Sequence, residues 1–249
     1  MNDIKIFVIH NEEEVLNKAS SNKFIKKINL NNLELNEKYK TNKLAENRFL
    51  IYLSNNIGIL EDYDYIGICS ASWDEKYKTN QEDSTVLKLE KVPDLVKSFK
   101  KNFIYVPAPI KEDWYEKSIY SHEGMEVYID ELLKRNNFKK TGSSFYSNNF
   151  ICKRSILIEF LKWWKKEFDY FFEKYECEYE YNSENCPNYK ENVNCAYFYE
   201  RITVAYFANK NYNIVGLDPK IKITNNNTGE YNLIRSKTIE NFNKNLKLF

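Results

Sequence analysis

The sequence predicts an α/β fold: a mainly parallel central sheet, flanked by helices and wound in both directions from its middle. Two observations predict it. The runs "IKIFVIH" (4–10) and "YDYIGIC" (63–69) are apolar on consecutive positions, the pattern of strands covered on both faces. Between them the period changes, because Ala45, Phe49, Tyr52 and Leu53 fall at i, i+4, i+7 and i+8, one stripe of a helix. Strand–helix alternation over the first 70 residues is what a doubly wound sheet requires. A chain of 249 residues is long enough for one such domain, burying about 70–75% of its unfolded surface.

The remaining elements follow in order. "NEEEVLNKAS" after the first strand offers Asn11 as a helix cap and acids in the first turn, where they complement the helix dipole. "KFIKKINL" (23–30) reads as a weaker strand. "NFIYVPAP" (102–109) makes a further strand stopped by Pro107 and Pro109, which cannot donate to a ladder. The second half is more helical. Met125, Ile129, Leu132 and Leu133 repeat the helical stripe, and Ile156, Phe160, Trp163, Trp164 and Phe171 mark a longer helix. Residues 176–195 are polar, Asn-rich and interrupted by Pro187, which reads as a loop. "AYFYERITVAYFANK" (196–210) reads as a buried helix and "YNIVGLD" as the strand after it. "NNNTGE" (225–230) is a turn sequence, and the last twenty residues read as a surface tail. With no repeat and no linker, a single domain over 1–249 is expected.

Charge and composition narrow the function classes. Basic and acidic residues number 37 and 36, so no single-sign field draws in nucleic acid or a membrane surface. No run of about 18 apolar residues marks a membrane span. "MNDIKIFVIHNEEE" lacks a basic leader and a cleavage site and reads as a first strand instead of a signal peptide. Cys69, Cys152, Cys177, Cys186 and Cys195 form no close pair, which points to reduced thiols and a cytoplasmic setting. The last three are spaced nine apart, but the two histidines, His10 and His122, lie far from them in sequence, so a structural zinc site is disfavoured.

In an open α/β sheet, ligands sit beyond the carboxyl ends of the strands near the reversal of strand order. Three segments reach that edge: His10-Asn11, Ser70 to Asp74, and Pro107 to Ile110. The placement is geometric and selects no substrate.

The order of segments says more. "IKIFVIH", "NKLAENRFLIYL", "DYDYIGIC", "YSNNFICKRSILIEFLKWW" and "AYFYERITVAYF" together resemble bacterial glycosyltransferases of the GT-A type. The resemblance is to those of capsule and lipopolysaccharide gene clusters that include galactofuranosyltransferases. It covers about residues 4–219, in the family's order. It implies a GT-A-like (Rossmann-like) fold, with the nucleotide-binding part at about 1–110 and the acceptor side at about 111–249. It also implies transfer of a sugar from a nucleotide-sugar donor, UDP-linked, to a glycan or lipid-linked saccharide, with inversion. A lipid-linked acceptor would bring the protein to the membrane periphery.

One stretch departs from the pattern. Where the family has a His/Arg-rich loop and other GT-A enzymes an Asp-x-Asp, this chain reads Ser70-Ala71-Ser72-Trp73-Asp74-Glu75. The metal in such a site neutralises the diphosphate leaving group, an effect of several kcal/mol, and serine hydroxyls cannot replace that charge. Either Asp74 or Glu75 holds Mn²⁺ or Mg²⁺, or fixed cations do the work. Candidate cations are Lys43, Arg48, Lys153, Arg154, Lys220 and Lys222, although a lysine in so lysine-rich a chain is ordinarily just solvated. Arg48 stands out because "AENR" matches the helix turned toward the donor in many GT-A enzymes.

The resemblance assigns the remaining roles, each beside a plainer reading. Glu200, in "YERITVAYF", matches the family's Glu-Arg pair and takes the part of general base; the plainer reading is an ion pair with Arg201. His10, Asn11, Arg48, Ser70, Ser72 and Asp74 are the expected donor-binding residues. Asn148, His122 and Trp73 are the expected acceptor or sugar contacts, with Trp114 and Tyr120 as further stacking candidates. Against these stand an ordinary turn for the pair Asn148-Asn149, which precedes "FICK" as in the family's matching segment, and core packing for the aromatics. Without an Asp-x-Asp, the rival function is an inactive relative that binds a glycan or nucleotide.

Overall fold

A computed structural model describes residues 3–19, 21–41, 44–71, 89, 92, 101–107, 109–110, 114–121, 125–145, 148–175 and 194–216. In chain order the elements are β1 (Ile4–His10), α1 (Glu13–Lys18), β2 (Ile25–Asn29), α2 (Asn47–Asn55), β3 (Tyr65–Ser70), β4 (Phe103–Val106) and β5 (Pro109–Ile110). They continue with α3 (Trp114–Ser121), α4 (Glu126–Asn136), β6 (Ser144–Phe145), β7 (Phe150–Lys153), α5 (Arg154–Tyr175), α6 (Asn194–Asn209) and β8 (Asn213–Gly216).

Six strands form one sheet in the order β2-β1-β3-β7-β4-β8. β1 is parallel to β2 and β3, β4 is parallel to β8, and β7 is antiparallel to both of its neighbours. The chain steps from β1 to β2, then returns to lay β3 on the other side of β1, so strand order reverses at the β1/β3 boundary. That places a crevice at the carboxyl ends of these two strands. Their registers bring the ends level: His10 opposes Asn29, and Ile9 opposes Ser70.

Both faces of the sheet are covered. In β1, Phe7 and Ile9 join the larger cluster, whereas Ile4, Ile6 and Val8 join the smaller one on the opposite face with Leu16 of α1. This is why the run is apolar on consecutive residues. α6 is buried nearly all round, with Phe198, Tyr199, Ile202, Val204, Ala205, Tyr206 and Phe207 within the core, the signature of a central helix. The aromatics pack around it: Phe168 on Tyr199 at 4.5 Å between centroids, Trp163 on Tyr206 at 4.8 Å and Phe145 on Phe207 at 5.0 Å. Each such contact adds about 0.5–1.5 kcal/mol beyond its buried area. Trp114 is likewise fully buried, so it packs in the core and presents no stacking face.

Three local expectations are corrected. Asn11 does not cap α1, because Glu12 occupies the cap position without a side-chain cap bond, and the Asn11 amide is engaged elsewhere. β4 does end at Val106, just before Pro107, but Pro109 ends no pairing: Pro109-Ile110 begins a second, two-stranded ladder with β6, where a missing N–H on an edge costs nothing. The helix placed at 196–210 begins earlier, at Asn194. The rest of the 176–195 loop, the "NNNTGE" turn and the terminal tail lie outside the described residues.

α4 and α5 are joined through two carboxylates. Glu167, buried, accepts from Arg135 Nε at 3.0 Å, and the Arg135 guanidinium lies 3.3 Å from the Tyr170 ring centroid. Glu131 accepts from Tyr170 Oη at 2.6 Å, from Lys174 Nζ at 2.7 Å and from Tyr175 Oη. Burial pushes the Glu131 carboxyl up, but these donors overcome it and hold the pKa at about 2. A depressed folded pKa means the stabilisation is complete above the unfolded value near 4.3 and fades as pH falls through about 2. Urea midpoints for wild type and Glu131→Gln should therefore differ at pH 6 and converge toward pH 2; a pH-independent gap would refute the assignment.

Candidate functional site at the carboxyl edge

Arg48 belongs to the first turn of α2 and is 2% exposed. Its NH1 donates to Asn31 Oδ1 at 3.2 Å, its NH2 donates to Asn11 Oδ1, and its Nε donates to the Ala45 carbonyl at 3.3 Å. All three acceptors are neutral. Asn11 follows β1 and Asn31 lies in the short turn after β2, so two strand ends reach the same guanidinium. Asn31 Nδ2 closes the set by donating to the Asn11 carbonyl at 2.9 Å. Burial lowers the Arg48 pKa, yet arginine stays protonated in any protein environment. Among the described residues no carboxylate pairs with it. Among the described residues, the carboxyl edge thus holds a desolvated positive charge balanced by dipoles alone, the electrostatic requirement for an anion.

The backbone before α2 aims this cation. Ala45 has φ 44°, a left-handed conformation that costs a non-glycine residue about 1 kcal/mol or more. In that conformation its carbonyl accepts from both the backbone N and the Nε of Arg48, each at 3.3 Å.

His10 ends β1. Its Nδ1 accepts from the Glu12 backbone N–H at 2.9 Å, so the neutral ring carries its proton on Nε2, free of that turn. Ser70, the last residue of β3, is buried and its backbone N–H donates to Asn149 Oδ1 at 2.5 Å. Asn149 reaches it because β7 runs antiparallel: Phe150 opposes Ile68, which brings the residue before β7 to the same edge.

Asn148, also buried, has φ 43° and donates its amide to Asn47 Oδ1 at 3.2 Å. Its N–H₂ is thus turned into the protein. Asn47 Nδ2 in turn donates to Leu44 O at 3.1 Å and to Ala196 O at 3.0 Å, tying α2 to the first turn of α6. One helical turn beyond Ala196 stands Glu200, whose Oε1 is 3.0 Å from Arg201 NH1. The Glu200 side chain is 13% exposed against 5% for Arg201, so the carboxylate is the more accessible of the pair.

The candidate cations separate by position. Lys153 opposes Tyr65, the first residue of β3, and Arg154 donates to the carbonyl of Glu61. Both therefore lie at the amino-terminal edge, where they cannot serve a ligand beyond the carboxyl ends. Lys43, Ser72, Trp73, Asp74, Glu75, His122, Lys220 and Lys222 lie outside the described residues. The described residues contain no group of three or more His, Cys, Asp or Glu side chains arranged for a metal ion. None of their helices is long and apolar enough to cross a membrane.

Asn31 and Asn47 are the site-edge residues that sequence reasoning passes over. Asn31 had a signal: the carboxyl-end argument that selects His10-Asn11 after β1 applies equally to the turn after β2. Asn47 had none, since its partner Ala196 lies 149 residues away.

No family model and no curated protein matches the chain. Among solved structures it is similar to the WbbM bifunctional glycosyltransferase in its apo form, with a TM-score of 0.50 and 16% identity. The match covers 87% of this chain and 45% of that one, so this chain spans less than half the length of that protein. At such identity the likeness shows the fold, and the fold is glycosyltransferase-like.

Proposed function

We propose that the protein is a glycosyltransferase that moves a sugar from a UDP-linked donor to a glycan or lipid-linked saccharide acceptor, with inversion at the anomeric carbon. One observation carries the reading: the desolvated Arg48 guanidinium at the carboxyl ends of β1 and β2, held by Asn11 and Asn31 and without a carboxylate among the described residues. A leaving nucleoside diphosphate develops negative charge there, and a prepositioned cation meets it without reorganisation. The glycosyltransferase-like fold is consistent with this placement.

In this reading His10 and the Ser70 end of β3 border the donor, and Glu200 takes the proton of the acceptor hydroxyl as that oxygen attacks. The resemblance gives Ser72 and Asp74 the role of donor contacts, and Trp73 and His122 that of acceptor contacts. The other source of positive charge is Mn²⁺ or Mg²⁺ on Asp74. Release of UDP from UDP-glucose, UDP-galactose and UDP-N-acetylglucosamine, with and without EDTA, separates the two; full turnover in EDTA removes the metal.

Arg48→Met is the direct test, because it keeps volume and removes charge. Arg48 is buried and bonded to protein oxygens, so it acts on the diphosphate through space. A unit-charge pair about 8 Å apart at an effective dielectric of about 20 contributes about 2 kcal/mol, so UDP affinity by calorimetry should fall roughly 10- to 100-fold. Affinity at the wild-type level would reject the role of Arg48.

A second reading has its own support. The 3.0 Å approach of Arg201 to Glu200 is also what a purely structural ion pair requires. An inactive relative that binds nucleotide or glycan would keep the UDP thermal shift, about 2.7 kcal/mol at 100 times Kd, and release no UDP from any donor.

A further inference from the structure

Asn47 holds a place that neither Arg48 nor Glu200 explains. It is 2% exposed, and every polar atom of its side chain is engaged: Nδ2 donates to Leu44 O at 3.1 Å and Ala196 O at 3.0 Å, and Oδ1 accepts from Asn148 Nδ2 at 3.2 Å. Two of its neighbours, Ala45 and Asn148, have φ of 44° and 43°. Backbone strain of this kind persists only where surrounding contacts over-determine it, and it concentrates at functional sites.

The partners matter more than the burial. Asn47 precedes Arg48 in α2, and the Arg48 guanidinium is itself held by Asn11, Asn31 and the Ala45 carbonyl. The Ala196 carbonyl, inside α6, is the acceptor that helix geometry gives to the N–H four residues on, which is Glu200. A single amide therefore bonds the same carbonyl as the Glu200 backbone and adjoins Arg48 through one peptide bond.

We propose that Asn47 is a positioning residue that sets the separation between the Arg48 cation and the Glu200 carboxylate. The inference rests on the transferase reading above and assigns the coupling of its two charged groups. Asn11, Asn31 and Ala45 hold Arg48 independently of Asn47, so loss of the amide leaves donor binding in place. It frees the first turn of α6 and shifts the base relative to the reacting carbon. Misplacement by about 1 Å costs on the order of 10²-fold in rate.

The test compares Asn47→Ala and Asn148→Gly with wild type. The glycine keeps the left-handed backbone at 148 and removes the bond to Asn47 Oδ1, together with the rest of the buried side chain, whose own Oδ1 makes no hydrogen bond among the described residues. UDP release from the best of the three UDP-sugars gives kcat and donor KM, UDP calorimetry gives affinity, and melting temperature reports folding. Asn47→Ala should lose about 30- to 100-fold in kcat with donor KM and UDP affinity within about threefold; Asn148→Gly should lose less, in the same direction. Wild-type kcat in folded Asn47→Ala overturns the proposal, as does a parallel fall of kcat, UDP affinity and melting temperature. If Asn47→Ala does not fold, wild-type kcat in Asn148→Gly overturns it. A wild-type chain that binds no UDP and releases none from any donor instead removes the transferase reading itself, and this inference with it.

Discussion

Glu200→Gln lowers the turnover of sugar transfer by about 10²- to 10⁴-fold, the range for removing a general base, and leaves UDP affinity within about threefold. The substitution keeps the shape of the side chain beside Arg201 and takes away the proton-accepting charge. Position supports the role: the side chain is part-exposed on a helix otherwise sunk in the core, one turn from the carbonyl tied to α2. Because Arg201 is 5% exposed, losing its partner charge also destabilises the fold. Melting temperature must accompany the kinetics so that unfolded enzyme is not read as slow enzyme. Undiminished kcat in a folded Gln variant would return Glu200 to the plain role of pairing with Arg201.

Gly142→Ala destabilises the fold by roughly 3 kcal/mol or more, the largest expected effect on stability. Gly142 has φ 134°, open to glycine and strained for every L side chain. An added Cβ would also lie 2.0 Å from the Ala208 carbonyl oxygen, and a backbone atom in the last turn of α6 cannot swing aside. Strain and overpacking each cost about 1–3 kcal/mol. Two residues on, Ser144 Oγ donates to the Val204 carbonyl at 2.8 Å, so this segment is docked along α6 and its displacement drags the helix that carries Glu200. Urea denaturation measures the loss, and a midpoint equal to that of wild type would contradict the packing described.

Much of this architecture is legible in the residue order. Consecutive apolar runs at 4–10 and 63–69 announce strands covered on both sides, because each face packs against its own cluster. The stripe through Phe49 and Leu53 announces α2, and the apolar residues that surround Glu200, Arg201 and Thr203 over 196–208 announce a central helix. His10-Asn11 and Ser70 were placed at the ligand edge by the rule for open sheets, and the registers put them there. β7 was not legible as the antiparallel strand between β3 and β4. Four residues, "FICK", carry no mark of direction, and direction depends on where the preceding chain returns. The same blindness let Lys153 and Arg154 stand as candidate cations although β7 delivers them to the opposite edge.

Local periodicity therefore determined the layers and the winding, since burial demands and helix spacing are written over a few neighbouring residues, while the resemblance to GT-A glycosyltransferases nominated Arg48 and Glu200. Tertiary structure alone decided that Arg48 is desolvated among amide oxygens, that Asn11 serves it in place of capping a helix, and that Asn47 ties it to α6. These depend on side chains that meet across 17, 37 and 149 residues. Only closure of the sheet brings such partners within reach of a hydrogen bond.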